Sequence, residues 1–142
     1  MIDKFDGTEY KFLSNFYASE VKLGDITFPT VEHAFQAAKT LDIEERLMIK
    51  EASTPGIAKT MGRHVILRSD WEEVKISVME DLIRQKFRNP ILREKLLSTK
   101  HEILVEGNYW HDTFWGVCNN VGENNLGKIL MKIRAEIQNE KQ

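Results

Sequence analysis

The segment TVEHAFQAAK, residues 30–39, gathers side chains able to move a proton or attack a carbonyl carbon: Glu32, His33, Gln36 and Lys39. At about 100° per helical residue, Glu32, Gln36 and Lys39 fall within about 60° of one another. Such a stripe has two readings, a solvated helix face or the wall of a reaction site. Lys39 lies two turns from Glu32, too far for direct i, i+4 pairing but suitably spaced to bracket a ligand. A desolvated lysine becomes a nucleophile through a lowered pKa, whereas an exposed one is a surface cation.

A second stretch, EGNYWHDTFWG, sets Glu106 and Asp112 among Tyr109, Trp110, Phe114 and Trp115. Carboxylates against aromatic walls suit a general acid or the stabilisation of a developing cation. The alternative is a loop folded on the core, with Asp112 capping a turn. A third stretch, NNVGENNLGK, runs into a helix start, where Gly122, Asn124, Asn125 and Gly127 offer an anion cradle or simple capping. It matches neither the nucleoside-triphosphate loop nor the dinucleotide fingerprint. His33, His64, His101 and His111 lack metal-ligand spacing, and there is no HExxH, so neither metal nor cofactor is expected.

Several elements must position these groups. VKLGDITF predicts a hairpin about Gly24-Asp25 within a largely extended first 28 residues. Thr30 is the expected cap of a helix whose Val31, Ala34, Phe35, Ala38 and Leu41 face the core. Further helices are expected over IEERLMIKEA, from Thr54-Pro55 to Gly62, over the stretch after Ser69 with a Ser69/Glu72 capping box, from Asn89-Pro90, and from Asn125 onward. VILR and HEILVEG read as short strands. The expected fold is α+β, mainly α-helical, in a single domain spanning 1–142 with a few short strands.

The totals limit the function classes. The 142 residues are 42% hydrophobic and 30% charged with a net charge of -2, a globular composition without bulk attraction for nucleic acid. Cys118 is the only cysteine, which excludes an intramolecular disulfide and fits a reducing cytoplasm. MIDKFDGTEY lacks a signal-peptide core, and no apolar run is long enough to span a membrane.

Taken together, YKFLSNFY, FPTVEHAFQAAK, the W…KF stretch from Trp71 to Phe87 and LVEGNYWHDTFWG…NNLGKILMKIR resemble the NADAR, or YbiA-like, family of N-glycosidases. The resemblance implies a compact, mainly helical domain that hydrolyses an N-glycosidic bond to a ribose phosphate, with riboflavin-pathway ribosylaminopyrimidine phosphates as expected substrates. Removal of ADP-ribose from guanine in nucleic acid is the alternative, and non-catalytic binding of an ADP-ribose-like nucleotide a second one. The resemblance makes Glu32, Lys39, Asp112 and Glu106 the catalytic candidates. Substrate binding is expected from Phe12, Asn15, His33, Gln36, Trp110, Trp115, Gly116, Asn125 and Gly127, with Lys128 or Arg134 beside the phosphate. For the nucleic-acid alternative, Lys86/Arg88, Arg93/Lys95 and Lys128/Lys132/Arg134 would have to supply a basic surface. Val117-Cys118 departs from the family pattern, where a glycine is expected.

Overall fold

A computed structural model describes residues 1–140, which form six α-helices and one two-stranded antiparallel sheet. The expected mainly helical α+β class holds. The chain divides into two compact units, one of residues 15–86 and one of residues 1–14 with 87–140. The last two residues of the span expected as one domain lie outside the described residues.

In the unit of residues 15–86, β1 (Val21–Leu23) and β2 (Ile26–Phe28) pair with Val21 opposite Phe28. Gly24 turns the hairpin at φ 59°, a left-handed value that a side chain would strain. Helix α1 (Val31–Ala38) starts where Thr30, in extended conformation, accepts the His33 N–H on its hydroxyl. Helices α2 (Ile43–Lys50) and α3 (Pro55–Gly62) start from Asp42 and Thr54 in the same way, and α4 (Trp71–Lys86) completes the unit. The hairpin and α2, α3 and α4 all pack on α1. All eight of its residues are therefore buried, polar ones included. Val31, Ala34, Phe35 and Ala38 are core residues as expected, but Leu41 is 64% exposed because the helix ends before reaching it.

Two expectations fail around α4. VILR forms no strand, because its amides bond singly: Arg68 N–H to the Lys39 carbonyl at 2.7 Å and Ile66 N–H to the Glu45 carboxylate. The Ser69/Glu72 capping box is absent too. Helix α4 begins at Trp71, Asp70 supplies the carbonyl for its first N–H groups, and Glu72 pairs with Lys75.

In the other unit, residues 1–14 form turns and a single 3-10 turn, Lys11–Leu13, instead of an extended run. Ile2 bridges Leu104 in parallel, through Ile2 N–H to Ile103 O and Val105 N–H to Ile2 O, both 2.8 Å. HEILVEG is thus a chain of isolated bridges rather than a strand, since Ile2 offers one residue for it to pair with. Helix α5 (Pro90–Ser98) is capped by Asn89. Helix α6 (Asn125–Glu140) buries Leu126, Ile129, Leu130, Ile133 and Ile137, which recur at helical spacing on one face. No helix among the described residues is long and apolar enough to cross a membrane.

Candidate active site

Asn15 sets the start of α1. Its backbone carbonyl accepts the Glu32 N–H at 3.1 Å, and its own amide, buried, donates to the Met79 sulfur at 3.4 Å. Glu32 is 8% exposed, and its Oε2 accepts the Gln36 amide at 2.7 Å. Gln36 Oε1 is buried with no hydrogen-bond partner. It lies against α3 at Gly62, where an added β-carbon would fall 1.9 Å from it. Gln36 is therefore a support for Glu32.

His33 is also internal. Its Nδ1 meets the Thr30 hydroxyl at 2.8 Å and its Nε2 meets the Ala52 carbonyl at 3.0 Å. The Thr30 oxygen already accepts the His33 N–H, so its proton points to Nδ1 and the Nε2–H tautomer follows. The ring ties α1 to the segment after α2.

Lys39 ends α1 and is half-buried. Desolvation pushes its pKa below the ordinary lysine value; the Glu32 charge opposes this, while Arg63, Lys59 and Lys75 reinforce it. The α1 stripe is thus a buried carboxylate, a supporting amide and a desolvated amine. A helix with a wet side does not describe it.

The remaining candidates belong to the other unit. Asp112 Oδ1 accepts the N–H groups of Phe114 at 3.1 Å and Trp115 at 2.9 Å, so this carboxylate does cap a turn. Asn108, which the sequence does not single out, closes the same loop by donating to Asp112 O at 2.8 Å and accepting the Asp112 N–H. Its amide also reaches Glu106 Oε2 at 3.1 Å. Gly116 approaches so closely that a β-carbon there would lie 2.0 Å from Glu106 Oε2.

Trp115 packs edge-on against Phe114 with centroids 4.8 Å apart, and the more exposed Trp110 meets Tyr109 in the same fashion. Phe12 is buried at 4% exposure, with Lys95 Nζ 5.7 Å from its ring centroid. Cys118 and Val121 bond back to each other across Asn119-Asn120, both at positive φ, so the departure from the family pattern forms a tight hairpin turn.

The start of α6 is occupied by the chain itself. Asn125 N–H and Leu126 N–H donate to the carbonyls of Phe114 and Trp115, and Asn125 Nδ2 donates to Phe114 O at 3.0 Å. Asn124 clamps the 104–106 segment through Leu104 O and Glu106 N–H. Gly127 is where that segment crosses the helix, a β-carbon there lying 2.2 Å from Leu104 O. Arg134 is buried and donates to Thr99 at 2.9 Å.

Lys86, expected among surface cations, is 1% exposed. Among the described residues no three His, Cys, Asp or Glu side chains group to hold a metal ion. Of the residues that sequence reasoning missed, Asn108, Lys59, Arg63 and Lys75, two carry a signal: Lys59 on α3 and Arg63 just past its end stand four apart, with Gly62 between them.

Comparison with known proteins agrees with this architecture. The family described as NADAR domain matches residues 4–138, and so extends across both units. An N-glycosidase YbiA of Shigella flexneri serotype 5b is 42% identical over 137 residues, covering 94% of this chain and 85% of that protein. The chloroplastic riboflavin biosynthesis protein PYRR of Zea mays is 38% identical over 143 residues, covering 87% of this chain and 23% of that protein. The NMR structure of Escherichia coli YbiA superposes with a TM-score of 0.85 at 39% identity, covering 99% of this chain and 89% of that one.

Proposed function

Because the chain belongs to the NADAR family and is an N-glycosidase, we propose that it releases the base from a ribosylaminopyrimidine 5-phosphate. The observation that carries this reading is the buried Glu32 beside the desolvated Lys39 on α1. The substrate class is suggested by the relative named for riboflavin biosynthesis.

N-glycoside cleavage builds positive charge on the ribose ring and negative charge on the departing nitrogen. Glu32, held by Gln36 as a hydrogen-bond acceptor, stabilises the cationic ring or takes a proton from the attacking water. The water oxygen bonds to the anomeric carbon, and the C–N electron pair leaves with the base. The family resemblance, rather than the geometry, makes Asp112 the acid expected to protonate that nitrogen, with Glu106 as the second. Trp115 and Trp110 are assigned to stack on the heterocycle.

Lys39 opens a parallel route. A ring-opened ribosylamine is an imine. The neutral lysine amine adds to its carbon and expels the base as an amine, and water then frees the sugar from the lysine imine. Desolvation favours the neutral amine that this route needs.

Glu32→Gln, Asp112→Asn and Lys39→Ala are to be assayed on a ribosylaminopyrimidine phosphate and on DNA carrying ADP-ribosylated guanine. The expected result is loss of base release from the small substrate in all three variants. Wild-type rates in all three would overturn the site, and preferential turnover of the DNA would replace the substrate. Borohydride trapping of a sugar on Lys39 during turnover tests the imine route.

A further inference from the structure

The phosphate of such a substrate needs cations. The start of α6 has its first N–H groups bonded to the carbonyls of Phe114 and Trp115, and Arg134 is bound to Thr99.

Two contacts on α1 lead to a different place. At the first, Gly62 lets α3 approach so closely that a β-carbon would overlap Gln36 Oε1. Lys39 is one helical turn beyond Gln36. Lys59 and Arg63, the latter capping the end of α3 in helical conformation, stand three before and one after Gly62, four apart, and so on one side of the helix. At the second contact, the Trp71 ring of α4 sits 5.1 Å from Phe35 of α1, centroid to centroid. Lys75 is one turn beyond Trp71, as Lys39 is one turn beyond Phe35.

Lys75 has a side chain only 18% exposed and pairs at 2.5 Å with Glu72, whose own side chain is 78% exposed. The charges of Arg63, Lys59 and Lys75 all reach Lys39, against the opposing charge of Glu32. Like charges gathered around a half-buried amine repel one another, and an incoming anion relieves that repulsion.

We propose that Lys59, Arg63 and Lys75 form a phosphate-binding subsite beside Lys39, which receives the 5-phosphate of the ribosyl substrate. The identity of the ester rests on the function proposed above. The phosphate chemistry rests on the cations. The planar Arg63 guanidinium suits bidentate contact with phosphoryl oxygens, and the two lysines supply point charges. A ribose anchored there by its phosphate would lie next to the Lys39 amine.

The test is binding to the full chain, without turnover, of ribose 5-phosphate, ribose and inorganic phosphate, followed by calorimetry. The wild type should prefer ribose 5-phosphate to ribose by roughly tenfold or more, with inorganic phosphate competing. Arg63→Ala combined with Lys59→Ala should abolish that preference, and Arg63→Gln should weaken it. Melting curves are run on each variant to exclude misfolding.

No preference in the wild type, preference retained in a folded double variant, or preference abolished by Lys128→Ala instead would each overturn the subsite. The reading of the reaction fails separately. A Glu32→Gln enzyme at full rate would sink that reading while an Arg63-dependent preference for phosphate stood.

Discussion

Gln36 and Gly62 compete for one volume: the amide oxygen lies where a β-carbon on residue 62 would be, with only 1.9 Å between the two positions. The other end of that amide holds Glu32 at 2.7 Å. Gly62→Ala must therefore push Gln36 off the carboxylate. We expect it to lower stability by about 1–3 kcal/mol, the usual cost of overpacking, and to reduce kcat more than it raises KM. Gln36→Ala should reduce kcat similarly. Adding Gly62→Ala to Gln36→Ala should cost little further activity, because the overlap with the amide is gone and only a 3.0 Å approach to the Gln36 β-carbon remains. Additive losses in this cycle would show that Gly62 acts by some route other than Gln36.

The pH dependence of turnover should report on Lys39. Its imine route needs the neutral amine, so the rate should rise as pH passes through the Lys39 pKa. Arg63 helps to lower that pKa and Glu32 raises it. Arg63→Ala should accordingly shift the rising limb to higher pH, and the residual activity of Glu32→Gln should show it shifted to lower pH. Profiles of kcat against pH for the three enzymes are the measurement. A limb that stays in place in both variants belongs to another group.

Asp112 has a structural task that can be separated from a chemical one. Asparagine keeps the Oδ1 acceptor for Phe114 and Trp115 N–H but removes the charge, whereas alanine removes both. Asp112→Asn should melt like the wild type and lose roughly 100-fold or more in kcat, in line with loss of a general acid. Asp112→Ala should lose activity and about 1 kcal/mol of stability as well. Full activity in the asparagine variant would reduce Asp112 to a turn cap.

The elements around these residues were legible at most helix starts, the Ser69/Glu72 capping box excepted. Thr30, Thr54 and Asn89 start helices as their side chains dictate, and the α6 apolar face follows its spacing. The burial of Glu32 and Gln36 was not legible, because it comes from α2, α3, α4 and the hairpin closing over α1. Their polar stripe reads identically wet or dry until those neighbours are placed. HEILVEG has the residues of a strand, yet a strand also needs a partner run, and Ile2 supplies a single residue. Asn108 escaped notice since it closes a loop onto backbone groups, a role that side-chain type alone does not announce, and Asn124, read as part of an anion cradle, instead clamps Leu104 and Glu106. The family resemblance of TVEHAFQAAK and DTFWG supplied what periodicity left open.

Lys86 offers a stability experiment independent of catalysis. It is 1% exposed, its Nζ is 5.6 Å from the Tyr17 ring centroid, and burial lowers its pKa to about 7. An unfolded lysine titrates near pH ~10.4. Between about pH 7 and 10 the unfolded chain therefore holds a proton that the folded one has released, so stability should rise with pH. The contribution of one such residue is at most about 1.4 kcal/mol per pH unit. Below pH 7 both states carry the charge, and the full cost of burying it remains. Lys86→Met keeps most of the volume and removes the titration. Urea unfolding at pH 7 and pH 9 should show the wild type gaining stability relative to this variant as pH rises. Parallel changes in the two proteins would mean that the buried amine keeps its proton through that range.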